Sequence, residues 1–109
     1  MKKFMVFYSA TGEGWWGKEN ATQEDMEKSM EAWMEWGKKC GSSLVDFGSP
    51  LAGGHKLTKS GSSPSDINIL GYSILEAKDM DGAKALLEGH PHLRWSDGAA
   101  IDVFESAPM

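Results

Sequence analysis

The sequence predicts a small α+β domain that pairs with a second copy of itself. Three observations predict this class. Apolar strand-like segments and amphipathic helical segments follow in the order strand, helix, strand, strand, helix, strand. Both helical segments carry start and stop signals in the expected order. The strand-like segments are apolar on both alternating faces, yet two helices cover only one face of a sheet.

Lys3–Ser9 reads as a first strand, and its apolar residues on both faces fit a strand covered on both sides. Thr11–Lys18 is a glycine-rich loop that holds Trp15 and Trp16. Thr22–Lys39 is the clearest helix. Thr22 and Asp25 form a capping-box pair, and Met26, Met30, Trp33, Met34 and Gly37 recur as one apolar stripe. Glu27, Glu31, Glu35, Lys38 and Lys39 take the other side, and Gly41 marks the stop.

Leu44–Gly48 is a short second strand. The excursion Ser49–Asp66 exceeds an ordinary connection and predicts a functional loop or a small hairpin. His55–Lys59 supplies one short strand within it, and Gly61–Ser65 reads as a turn. Ile67–Glu76 is the third strand of the main series. Asp79 caps a short helix over Met80–Glu88, with Gly89 at its end and Pro91 beyond. Ala99–Glu105 is the fourth strand.

This order is the split βαβ arrangement, a ferredoxin-like βαββαβ fold with a four-stranded antiparallel sheet and two helices on one face. Leu70, Tyr72, Ile74 and Phe104 then oppose Ile69, Leu75, Ile101 and Val103. The helix-free face would expose an apolar patch of roughly several hundred Å², which soluble monomers rarely carry. Sheet-on-sheet pairing in a homodimer is the simplest cover.

Bulk composition bounds the function. At 109 residues the chain fits one domain, residues 1–109, and its 40% hydrophobic and 25% charged content is ordinary. A net charge of −5 with no cluster of Lys or Arg argues against nucleic acid and anionic membranes as partners. Cys40 is the only cysteine, so a reducing, cytoplasmic compartment is expected. Phe4–Tyr8 is too short for a signal peptide, and no run approaches the roughly 20 apolar residues of a membrane span.

Gly71–Ala77, the acidic turn Asp79-Met80-Asp81, Ala83–Leu87, Gly89-His90-Pro91-His92-Leu93 and Ile101-Asp102-Val103 resemble the YCII-related, or DGPF-domain, family. The Met30–Trp36 helix and Gly48-Ser49-Pro50-Leu51 are similar to the same group. The resemblance implies a dimeric α+β barrel, two sheets face to face with a cleft between sheet and loops. It implies no known reaction. Two features depart from the family: Ser60–Asp66 stands where the Asp-Gly-Pro-Phe segment would be, and Thr22–Glu31 holds no histidine for the His-Asp pair proposed in some members.

Titratable residues nominate a site. His90 and His92 flank a rigid proline at a helix end, where either imidazole would titrate near neutrality and act as general base. Their alternative is packing, with His90 at the last helix carbonyls. A metal centre is not expected, because His-x-His lacks a third ligand, and no cofactor motif is present. Asp46 and Asp102 sit between apolar neighbours in strands; facing a cleft they would serve acid-base chemistry, and on an edge they discourage aggregation. His55 beside Gly53-Gly54, with Trp15, Trp16 and Tyr72, would line the cleft.

Two functions follow. One is a small-molecule-binding protein or enzyme, with His90 or His92 as base, Asp102 orienting it, and a small aromatic or carboxylic ligand. The other is a non-catalytic dimeric accessory or regulatory module whose sheet face serves only dimerisation.

Overall fold

A computed structural model describes residues 1–10, 23–94 and 98–107. The strand signal in the first segment is realised as β1 (Lys2–Ala10), where Phe4, Val6, Tyr8 and Ala10 are buried and Met5, Phe7 and Ser9 are half-buried. Then follow α1 (Gln23–Cys40), β2 (Leu44–Asp46), β3 (His55–Thr58), β4 (Gly61–Pro64), β5 (Ile69–Ala77), α2 (Met80–Leu87) and β6 (Ala99–Glu105). Short 3-10 turns at Gly41–Ser43 and Pro91–Arg94 follow the two helices. No helix among the described residues is long and apolar enough to cross a membrane.

The fold is α+β. Its main sheet runs β2-β5-β1-β6 and every neighbouring pair is antiparallel. β1 is central: Phe4 faces Leu75 and Glu105, Val6 faces Ser73 and Val103, and Phe7 faces Tyr72 and Asp102. β3 and β4 form a separate two-stranded ribbon. Partners directly across an antiparallel pair share a face, so these registers sort the side chains of the sheet.

The core lies on one of those faces. Phe4, Val6 and Tyr8 pack with Leu75 and Ala77 of β5, Trp36 and Cys40 of α1, and Ala83 and Leu87 of α2 in one cluster. Each large apolar side chain so buried contributes about 1.5–3 kcal/mol. Trp36 Nε1 donates to Leu86 O at 2.8 Å and ties the two helices together. Asp79 caps α2 by accepting from Gly82 N at 2.8 Å, as its place in the sequence predicts.

Two expectations need correction. The buried edge of α1 is Trp36 and Cys40 with Trp33 partly buried, whereas Met30 and Met34 are 57% and 56% exposed. The broad indoles take the buried edge: Trp33 meets the Tyr8 ring edge to face at 4.8 Å, and Trp36 meets the His90 ring at 4.4 Å. Gly61–Pro64 is a strand instead of a turn; the reversal falls at Lys59-Ser60, between the paired Thr58 and Gly61. The Trp15 and Trp16 loop and the Thr22 cap lie outside the described residues.

Candidate functional site

The alternation of β1 gives the sheet two faces with different chemistry. On the helix side, Tyr8 is the hub. Its hydroxyl donates to Ser73 Oγ at 2.8 Å, and Ser73 Oγ donates to Phe47 O at 2.8 Å. Ser73 is fully buried and its hydroxyl is committed in both directions, so it is not a nucleophile. Burial pushes the Tyr8 phenol well above its ordinary value, opposed by the hydrogen bond to Ser73 and slightly aided by Cys40. Burial likewise raises the Cys40 thiol, with Lys39 acting in the opposite sense.

His90 and His92 belong to this same face. The His90 ring lies 4.4 Å from the Trp36 ring, 4.5 Å from Trp33 and 5.0 Å from Tyr8, centroid to centroid. The His92 ring is 5.4 Å from Tyr8. Both side chains are buried. The turn Pro91–Arg94 returns the chain after α2 and drives the two imidazoles inward.

Their hydrogen bonds assign the ring protons. His92 N donates to His90 Nδ1 at 2.9 Å, so Nδ1 of His90 carries a lone pair and its neutral ring holds the proton on Nε2. His92 Nε2 lies 2.7 Å from Ser9 O; a carbonyl only accepts, so Nε2 is the donor. Each imidazole thus spends one nitrogen on the backbone of its own chain. The arrangement locks the turn after α2 to β1.

The open side presents two rows across the sheet. Tyr72, Phe7 and Asp102 form one; Asp46, Ile74, Met5 and Phe104 form the next. Phe7 and Phe104 meet edge to face at 6.0 Å. Lys3 and Glu76 face each other beyond them. Phe7, Met5, Tyr72 and Ile74 are half-buried, Phe104 is 58% exposed, and both aspartates are exposed on the edge strands β2 and β6. Around the outer edge, an open groove of about 770 Å³ runs between α2 and β6, over Met80, Leu87, Leu93, Ile101, Asp102 and Val103.

The structure therefore places Tyr72, Asp102 and Asp46 on one face, with Asp46 and Asp102 on opposite edge strands, and separately brings His90 together with His92. It does not join the two groups, since Asp102 pairs with Phe7 while the histidines stack on Tyr8, on the other side of the sheet. His55 is exposed on β3. Trp15 and Trp16 lie outside the described residues. The sequence does not by itself mark Phe7, Met5 and Phe104 as candidate site residues, although their alternation with buried neighbours is an available signal. Among the described residues, no three His, Cys, Asp or Glu side chains gather to hold a metal ion. No family model matches the chain, and no curated protein matches it.

Proposed function

We propose that the chain acts as a homodimer whose open sheet faces meet across a shared cleft, and that this cleft binds a small aromatic molecule. The observation that carries the reading is the pair of rows on the open face, an apolar floor of Phe7, Met5, Ile74 and Phe104 bordered by Tyr72, Asp102 and Asp46. An apolar surface with a few convergent polar groups is the usual make-up of a ligand site. The strand order, with the β3–β4 ribbon inserted between the second and third strands of the main series, supports a ferredoxin-like fold and a dimeric α+β barrel like that of the YCII-related family.

The acids choose the ligand. Asp46, Glu76 and Asp102 against Lys3 favour a positively charged or donor-rich aromatic molecule over a carboxylate. Acid-base work in such a cleft falls to Asp102 and Tyr72, and His90 and His92 serve as scaffold beneath it.

Sedimentation across a concentration series and thermal shift against small aromatic amines and aromatic carboxylates test both parts. The dimer is expected, and an amine at 100 times its dissociation constant should add about 2.7 kcal/mol of stability. That shift should vanish in Asp102→Asn. A dimer with a flat response to the whole panel would remove the ligand and leave the accessory-module reading, in which the face serves dimerisation alone.

A further inference from the structure

The β3–β4 ribbon is fully built and entirely uncovered. Its strands pair from His55 with Pro64 to Thr58 with Gly61. Thr58 Oγ1 lies 3.0 Å from Ser60 Oγ across the tip, and Gly61 takes φ +136°, a conformation that favours glycine. At the base, Ser65 N donates to Gly54 O at 2.9 Å and Lys56 Nζ meets Asp66 Oδ1 at 2.7 Å. Yet every residue of both strands is exposed, and Leu57 is 80% exposed. A lone two-stranded ribbon is marginal in water at best. The radius of gyration, 15.1 Å, exceeds the roughly 13 Å of a compact domain of about 100 residues, as projecting segments require.

The ribbon has two unlike faces. Register puts His55 and Leu57 with Pro64 and Ser62 on one, and Lys56 and Thr58 with Ser63 and Gly61 on the other. Lys56 on the polar face is held by Asp66. Leu57 and Pro64 on the opposite face touch nothing that buries them. The open side of the main sheet, where Phe104 is 58% exposed and Met5, Phe7, Tyr72 and Ile74 are half-buried, is a further apolar surface among the described residues, and its charge is opposite to that of the ribbon. From His55 to Asp66 the ribbon carries Lys56, which Asp66 offsets, and Lys59 at its tip, a net +1, whereas the open face carries Asp46, Glu76 and Asp102 against Lys3, a net −2.

We infer that the ribbon of one copy is an arm that lies on the open sheet face of a second copy, with Leu57 seated on Phe7 and Phe104, and that the exchange is reciprocal. This rests on the homodimer proposed above and names the segment that closes it. It also completes the cleft. Same-face residues recur about every 7 Å along a strand. With β3 laid parallel to β6, Leu57 over Phe104 sets His55, one such step along β3, within reach of Asp102, one such step along β6. The cleft gains an imidazole beside a carboxylate, one from each copy, which the single chain keeps apart.

The test uses the full chain and three measurements. Sedimentation of wild type, Leu57→Asp and Phe104→Asp gives the dimer constants, with circular dichroism to verify the fold; Leu57 is so exposed that its replacement leaves the protomer intact. Mixed Leu57→Cys and Phe104→Cys chains under mild oxidation report proximity, because Cys40 is buried. Both charge variants should weaken the dimer by about 100-fold, the size of a hot-spot loss, and the mixed chains should form a disulfide-linked heterodimer. A Leu57→Asp dimer as tight as wild type, beside a Phe104→Asp monomer, overturns the arm and leaves the face-to-face dimer standing. Loss of the dimer in Leu57→Asp without any mixed disulfide overturns the seat on Phe104. A wild type that stays monomeric at roughly 100 µM overturns the dimer itself and the arm with it.

Discussion

On the helix side of β1, Phe4, Val6, Tyr8 and Ala10 are buried, and the Tyr8 and Ser73 hydroxyls end in a committed chain on Phe47 O. On the other side, Met5, Phe7 and Ser9 stay half-buried beside an exposed Phe104 and an exposed Asp102. The same strand, alternating by one residue, supplies both. The difference separates a face closed on its own chain from one left open. A face whose polar groups all point into its own chain has nothing left for a partner or a ligand. A face with apolar rings and unburied carboxylates has both.

The strongest way to break this contrast is to remove ring volume from each side in turn. Trp36→Ala should cost about 3–5 kcal/mol, because it empties the space beside His90 and orphans Leu86 O. Gly48→Ala belongs with it: Gly48 sits at φ +82°, and an added Cβ would collide with the carbonyl of Tyr72. Its cost should be on the order of 3 kcal/mol, because the left-handed backbone strains any L side chain and the Tyr72 strand must also shift. Phe7→Ala, measured by urea denaturation at a concentration where no dimer forms, should cost less than half as much. Equal losses on the two sides would erase the distinction.

Tyr8→Phe sharpens the contrast at a smaller scale, about 1 kcal/mol for a lost buried hydrogen bond. Its signature is in alkali. The folded phenol has its pKa raised by burial, so the unfolded chain releases this proton first. The stability it carries is intact below about pH 10, the ordinary value, and drains by about 1.4 kcal/mol per pH unit above it. Denaturation midpoints of wild type should fall steeply above that pH, and those of Tyr8→Phe should fall less. An identical alkaline limb in both would contradict the buried, neutral Tyr8.

Period and punctuation made the fold legible. β1 alternates every second residue, Asp79 and Gly89 bracket α2, and those local rules reach the structure nearly unchanged. A stripe of apolar residues does not fix the buried face of α1, because Met30, Trp33 and Met34 all count as apolar in it. Only the packing against Tyr8 and His90 selects Trp33 and Trp36. Site residues were half legible for a similar reason. Asp102 and Tyr72 were found as titratable or aromatic residues in strands, but their meeting across Phe7 is a matter of register, which no local pattern encodes. His90 and His92 stand out as a pair in the sequence, whereas their destination depends on the turn at Pro91–Arg94 folding under α1.

The smallest expected effect on stability tests the open face most directly. Asp102 is exposed on an edge strand, and no described hydrogen bond or ion pair depends on it. Asp102→Asn keeps the shape and removes the charge, so unfolding should shift by less than about 0.5 kcal/mol. His92→Ala, by contrast, strips the partner from Ser9 O and leaves a cavity under Tyr8, with a loss of about 2 kcal/mol or more. If the open face is where function resides, Asp102→Asn alone should abolish the thermal response to aromatic amines while the protein stays as stable as before. His92→Ala should lower the baseline and keep the response. The reverse pattern, a ligand shift lost with His92 and retained without the Asp102 charge, would move the site to the buried side of the sheet.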